Sequence, residues 1–191
     1  MNPKILVFAG SAREGSLNKK LARLAAKAVN ENGGEATLID LGDYPLPIYD
    51  GDLEEKEGMP PAAKRLRGLF VSHPAFLIVS PENNGSMSSL LKNTIDWLSR
   101  DTEGRSGLEP YQGKVAALMA ASPGAFGGVI GLTHLRMSLS RLLVHVIPDQ
   151  FPLPKADQAF AEDGSLTQAW AQKSVQTVAK KLIETTTRMT A

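Results

Sequence analysis

The run Ile5-Leu6-Val7-Phe8-Ala9-Gly10-Ser11-Ala12-Arg13-Glu14-Gly15-Ser16-Leu17-Asn18 passes from an apolar block, through a polar loop, into a helical pattern. The order is strand, loop, helix. A helix N-terminus leaves backbone N–H groups unpaired and carries partial positive charge, so it favours an anion. This loop adds hydroxyls at Ser11 and Ser16, a guanidinium at Arg13 and an amide at Asn18. Such a set suits a phosphate. An ordinary capped helix start needs only one polar residue, Ser16 or Asn18. Gly10 and Gly15 have the GxxxxG spacing of a nucleotide-binding P-loop, but Ser16 stands where its lysine belongs. Without that lysine the outer phosphates of a triphosphate lack their usual counter-charge. A terminal monophosphate is the expected ligand.

Outward from this loop the pattern alternates regularly. Strands are predicted at 4–9, 35–41, 75–80, 114–121 and 142–146. Helices are predicted at 18–31, 60–72, 88–100, 127–141 and 165–188. Leu21, Leu24, Ala25 and Ala28 form one apolar helical face, and Gly33-Gly34 ends that helix. Short apolar strands separated by helices predict a parallel sheet covered on both faces. The connections 42–59 and 100–113 are polar and rich in Gly, Pro or charge, and read as functional or interface segments. No internal repeat or low-complexity tract interrupts the chain, and one domain over residues 1–191 is expected.

Composition narrows the function. The chain has 21 basic and 20 acidic residues, a net charge of +1. This balance argues against a nucleic-acid or membrane partner attracted by bulk charge. There is no cysteine, hence no disulfide, thiolate nucleophile or Cys-ligated metal. His73, His134 and His145 are scattered without metal-ligand spacing. The chain runs directly into its first strand without a signal-peptide pattern, and no apolar stretch approaches the roughly 20 residues that span a bilayer. A cytoplasmic protein is expected.

In an open parallel sheet, ligands sit beyond the carboxyl ends of the strands. Three loops leave such ends: 10–18, then Ser80-Pro81-Glu82-Asn83-Asn84-Gly85-Ser86, then Ser122-Pro123-Gly124-Ala125-Phe126-Gly127-Gly128. They belong on one edge, so one site built from all three is the economical arrangement. Asn83, Asn84 and Ser86 offer donors and acceptors to a flat heterocycle, and Gly85 lets backbone approach a ring. A turn followed by a Ser-capped helix explains the same residues equally well. The third loop brings backbone N–H groups towards a planar ligand, or is a flexible turn. It lacks the G-x-G start of a dinucleotide fingerprint.

Taken together, these segments resemble the NADPH-dependent FMN reductase family, which includes quinone, chromate and azo reductases. Its first motif, GSxRxxSxN, is matched by Gly10, Ser11, Arg13, Ser16 and Asn18. Its second, PEYNxS followed by LKNxIDW, is matched by Pro81, Glu82, Asn84 and Ser86, then Leu91, Lys92, Asn93, Ile95, Asp96 and Trp97. Its third is matched by Ser122-Pro123-Gly124, Gly127-Gly128 and Leu135-Arg136. Tyr44-Pro45-Leu46-Pro47-Ile48-Tyr49-Asp50 resembles the family's second βα loop. The resemblance runs over about residues 4–155. One departure stands out: Asn83 occupies the place of the family's tyrosine. It forfeits aromatic packing of roughly 0.5–1.5 kcal/mol, or substitutes a hydrogen bond to the ring edge.

The resemblance implies a flavodoxin-like α/β three-layer sandwich, with a parallel sheet of order 2-1-3-4-5. It implies bound FMN, with the phosphate on Ser11, Arg13, Ser16, Leu17 and Asn18. The isoalloxazine would lie against Pro81, Glu82, Asn83, Asn84, Gly85, Ser86, Ser122, Pro123, Gly124 and Gly127. NADPH or NADH would pass hydride to flavin N5. The electrons would then go to a quinone, azo compound, metal oxyanion or free flavin. The flavin carries this chemistry, so no side-chain acid or base is required. The alternative is a flavodoxin-like electron carrier or FMN-binding protein without NAD(P)H turnover. Carriers are usually strongly acidic, unlike this chain. A phosphatase of this fold would need a loop cysteine. A response regulator would need an acidic pocket where Phe8-Ala9-Gly10 and Ser80 stand.

Family members associate as dimers or tetramers, so a homo-oligomer is expected. Arg100, Asp101, Glu103 and Arg105 are candidates for ion pairs between subunits. Lys92 and Asp96 are spaced to pair on one helix, for about 0.2–0.5 kcal/mol. Trp97 and Leu98 read as core or interface, and His134 as surface or interface. His73, before Pro74 at a helix end, sits where a cation is mildly favoured.

Overall fold

The computed structural model describes residues 2–190. Five strands form one parallel sheet: β1 (Lys4–Ala9), β2 (Glu35–Asp40), β3 (Ala75–Val79), β6 (Val115–Ala121) and β7 (His145–Leu153), in the order β2-β1-β3-β6-β7. This is the expected 2-1-3-4-5 order. The intervening β4 (Glu82–Asn83) and β5 (Ser86–Met87) form a separate small antiparallel hairpin.

Period-two alternation sorts the strand residues onto two cores. Ile5, Val7, Leu77, Val79, Ala117 and Met119 face one side, against helices α1 (Leu17–Glu31) and α6 (Ala169–Thr190). Leu6, Phe8, Phe76, Ile78, Ala116 and Leu118 face the other. There they meet α3 (Pro61–Ser72), α4 (Ser89–Leu98) and α5 (Val129–Arg141). The three central strands are buried on both faces, which is why they read as unbroken apolar runs.

Both polar connections are ordered. Residues 42–59 contain α2 (Gly51–Glu57), capped by the Asp50 carboxylate, which accepts from the Asp52 and Leu53 N–H groups. The preceding loop is held by α4. Asn93 Nδ2 and Trp97 Nε1 both donate to the Pro47 carbonyl at 2.8 Å, and the Tyr49 N–H donates to Asn93 Oδ1. Trp97 and Leu98 are core residues. Segment 100–113 is anchored by buried Arg67, which donates to the Leu98 and Ser106 carbonyls and to the Glu109 carboxylate. The charges of this segment find partners within the chain. Arg100 meets Glu54 at 3.0 Å, Glu103 meets Lys64 at 2.6 Å and Arg105 meets Glu109 at 3.7 Å. Asp101 accepts from the Gly107 N–H. His73 is buried: Nδ1 lies 2.7 Å from the Leu69 carbonyl and Nε2 2.8 Å from the Thr37 hydroxyl.

The last strand departs most from its expected bounds of 142–146. It begins later and runs to Leu153, with Pro148 inside it. Proline cannot donate to a ladder, so it argues against a strand except at an edge or a bulge. β7 is an edge strand, and its register against β6 shifts between the pairs Ala116–Val146 and Leu118–Gln150. Both conditions hold. Arg136 on α5 supports the irregularity by donating to the Val146 carbonyl and to Gln150 Oε1, each at 3.0 Å.

Replacing Arg67 with leucine leaves the Leu98 and Ser106 carbonyls without their donor. The expected loss is about 1–3 kcal/mol of unfolding free energy, measured by urea denaturation.

Candidate functional site

Parallel strands end on one edge, and the loops after β1, β3 and β6 meet there around a hollow of about 750 Å3. That is within the roughly 300–1,000 Å3 of small-molecule sites. Its first wall is the loop into α1. Ser16 caps the helix by accepting from the Lys19 N–H at 3.3 Å. The Leu17 and Asn18 N–H groups, and those of residues 11–15, find no partner in the chain among the described residues. Neither does the Arg13 guanidinium. These unpartnered donors, beside the Ser11 hydroxyl and at a helix N-terminus, suit a phosphate.

Asn18 lines the hollow and also braces it. Its side chain is buried and engaged with β6: Nδ2 donates to the Ala121 carbonyl and Oδ1 accepts from the Ala121 N–H, each at 2.9 Å. Its backbone N–H faces the loop without a partner among the described residues. The loop is braced twice more. The buried Ser88 hydroxyl donates to the Gly10 carbonyl at 2.6 Å while accepting from the Leu91 N–H. Lys19 donates to the Ala12 carbonyl at 3.0 Å and pairs with Asp40 at 2.5 Å.

The second wall follows β3. Pro81, Glu82 and Asn83 line the hollow. Glu82, however, turns its carboxylate to α5, where Oε2 accepts from the Gly131 N–H at 2.8 Å. It caps that helix, in the favourable place for a negative charge. Asn84 (φ 51°) and Gly85 (φ 75°) are the two central residues of the hairpin joining β4 to β5. Both angles are positive, as a type I′ turn demands, and Asn-Gly is the dipeptide that supplies them. They shape the wall, but neither they nor Ser86 lines this hollow.

The third wall follows β6. Ser122 and Pro123 line the hollow; Gly124 and Gly127 do not. Gly127 serves packing. A Cβ there would lie 2.8 Å from the backbone of Pro152 and Pro154, and its φ is 62°.

The hollow also takes residues that the sequence did not single out, among them Ser88, Ser89 and Asp157. Ser88 had a legible signal, a serine three residues before Leu91 at a helix start. Asp157 follows β7, and any loop after a parallel strand reaches this edge. Ending that strand at 146 hid it.

The sequence model of the NADPH-dependent FMN reductase family matches residues 3–158. The chain belongs to that family. It is 36% identical over 174 residues to an NAD(P)H-dependent FMN reductase of Pseudomonas aeruginosa, spanning 91% of this chain and 89% of that protein. It is 33% identical over 136 residues to a quinone reductase of Escherichia coli K12, spanning 71% and 69%. Among solved structures, the flavoenzyme NAD(P)H:acceptor oxidoreductase FerB of Paracoccus denitrificans superposes with a TM-score of 0.80 at 27% identity, with 98% of each chain covered. The fold is flavodoxin-like. The protein is an FMN-dependent NAD(P)H oxidoreductase, with FMN as cofactor and NAD(P)H as electron donor. No helix of the described residues is long and apolar enough to cross a membrane.

Two expectations follow for the braces. Asn18→Ala removes both hydrogen bonds to Ala121, with an expected loss of roughly 1–3 kcal/mol of stability in chemical denaturation. Asp40 carries a pH signature. Burial acts to raise its carboxyl, but the Lys19 ammonium and the Gly42 N–H outweigh it and hold it below the ordinary carboxylate range. A depressed carboxylate stabilises above its unfolded value and loses that contribution as pH falls through the folded one. The stability gap between the native protein and Asp40→Asn is therefore present near neutrality and closes in acid. A gap unchanged across that range would contradict the brace.

Proposed function

We propose that the hollow at the carboxyl edge is the FMN site of a single-domain reductase whose acceptors are quinones and related small molecules. The observation that carries this is the set of unpartnered donors at Ser11, Arg13, Leu17 and Asn18, set in a cavity whose other walls are the loops after β3 and β6.

The phosphate would lie on these donors, with Arg13 supplying the full positive charge. The ring would extend between Pro81–Asn83 and Ser122–Pro123. When bound, FMN supplies the redox chemistry, accepting hydride from NAD(P)H and passing electrons to the acceptor. The chain's residues bind and orient. The Asn18–Ala121 and Ser88–Gly10 bonds hold the phosphate loop against β6 and α4. Glu82 fixes the ring wall to α5. Asn83, exposed where the family carries tyrosine, leaves the ring's edge more open to an acceptor. The quinone reductase names among the relatives support quinones as acceptors.

A homodimer or homotetramer in the cytoplasm, where reduced nicotinamide is supplied, completes the proposal. Ile130 and Met137, seven residues apart on α5, are exposed and favour a partner on that face. Light scattering at micromolar concentration tests it, and a monomer counts against it.

Arg13→Ala is expected to weaken FMN binding by roughly ten- to a hundredfold, as one charge-assisted contact is lost. Quenching of flavin fluorescence on titration measures this, and unchanged affinity overturns the phosphate assignment. Anaerobic mixing of the FMN-loaded protein with NADPH separates reductase from carrier. Rapid bleaching of the yellow flavin is expected of the first and its absence of the second.

A further inference from the structure

Two carboxylates line the hollow at the carboxyl edge, those of Glu82 and Asp157. Glu82 is committed to the Gly131 N–H. Asp157 is exposed, and its side chain makes no hydrogen bond or ion pair among the described residues. Its backbone is nevertheless firmly placed, in a single 3-10 turn, Ala156–Gln158, that follows β7. On one side the Lys155 and Ala156 N–H groups donate to the Gly124 and Ser122 carbonyls, at 3.3 and 3.0 Å. On the other, Phe160 packs on the same core as Leu17, and the Lys20 ammonium lies 5.6 Å from its ring centroid. The turn is thus fastened both to the loop after β6 and to the first turns of α1.

An ionised carboxylate accepts hydrogen bonds and donates none, and it repels another anion. In this hollow it needs donors from the ligand. The phosphate of FMN is itself an anion, and the imide N–H of the isoalloxazine lies at the end of the ring remote from it. Between the two runs the ribityl chain, whose hydroxyls are donors. We propose that Asp157 accepts hydrogen bonds from the ribityl hydroxyls of FMN and so fixes the middle of the cofactor between the phosphate loop and the ring wall. This rests on the reading of the hollow as the FMN site. Arg13 and the free N–H groups then meet the anion, while Asp157 meets the hydroxyls.

The test reads flavin affinity of the flavin-free chain by fluorescence quenching. Asp157→Ala is expected to raise the dissociation constant of FMN about tenfold, the loss of one charge-assisted contact. Asp157→Asn keeps an acceptor without the charge, and a rise of about threefold is expected. Riboflavin has the ribityl chain and no phosphate, so its affinity falls in Asp157→Ala by the same factor as that of FMN. Arg13 and Asp157 act on separate parts of the ligand, so their effects on FMN binding multiply in the double variant. Asp157 is exposed and unpaired within the chain, so the thermal midpoint of the flavin-free protein stays unchanged in Asp157→Ala.

Tighter FMN binding in Asp157→Ala overturns the proposal, because the carboxylate would then act only by repelling the phosphate. Unchanged FMN affinity overturns it too, as does a loss confined to FMN and absent for riboflavin, or one that vanishes when Arg13 is already alanine. The two layers fail separately. If the native chain does not bind FMN, or Arg13→Ala binds it as tightly, the reading of the hollow falls. If FMN binding is normal and depends on Arg13 while the Asp157 variants match the native chain, only the ribityl contact falls.

Discussion

The reciprocal hydrogen bonds between Asn18 and Ala121 are the constraint on which the site depends. They join the first turn of α1 to the last residue of β6, across 103 positions of sequence. Both groups are buried, so neither has water as an alternative partner, and breaking one bond leaves the other half unpaired as well. This fixes the distance between the phosphate loop and the ring loop. A cofactor with a phosphate at one end and a rigid ring at the other needs that distance constant.

Two further tethers extend the same principle around the cavity. Ser88 ties α4 to the start of the phosphate loop, and Glu82 ties the β4–β5 hairpin to the start of α5. Each uses a helix N-terminus, where backbone donors are free to be capped. The site is therefore built from three helix starts. Ser88 caps one N–H of α4, that of Leu91, and Glu82 caps one N–H of α5, that of Gly131. At α1 Ser16 likewise caps one N–H, and there the open donors continue into the preceding loop, where those of residues 11–15 have no partner among the described residues. The charge follows the same division. Lys19 is committed to Ala12 and Asp40, which leaves Arg13 as the free cation of the loop.

Much of this was legible in the sequence because local signals and the fold agree. The apolar runs at 4–9, 75–79 and 115–121 are strands because both sheet faces are covered. What was not legible depended on partners distant in sequence. Asn18 reads as a phosphate ligand because an amide at a helix start is a donor. Only the placement of Ala121 shows that its side chain is taken. Asn84 and Gly85 read as ring contacts, although Asn-Gly between short segments is a hairpin signal in its own right. Pro148 truncated the last strand, and with it went the sign that Asp157 reaches the site. The partners of the charges at 100–105 within the chain were likewise not legible, because Arg67 folds that segment back onto α3 and α4.

Asn83 lies where these arguments converge. It lines the first hollow and also, with Ser89, a neighbouring hollow of about 630 Å3 between the β4–β5 hairpin, α4 and α5. Its neighbour pair Asn84-Gly85 forms the turn that presents it, and Glu82 on its other side anchors the hairpin to α5. An aromatic side chain at this position would occupy the junction and pack on whatever ring lies there. The shorter amide leaves the two cavities continuous. The departure from the family motif therefore falls where the two hollows meet, beside Ser89. An amide fills less of that junction than an aromatic ring and offers hydrogen bonds in place of ring packing.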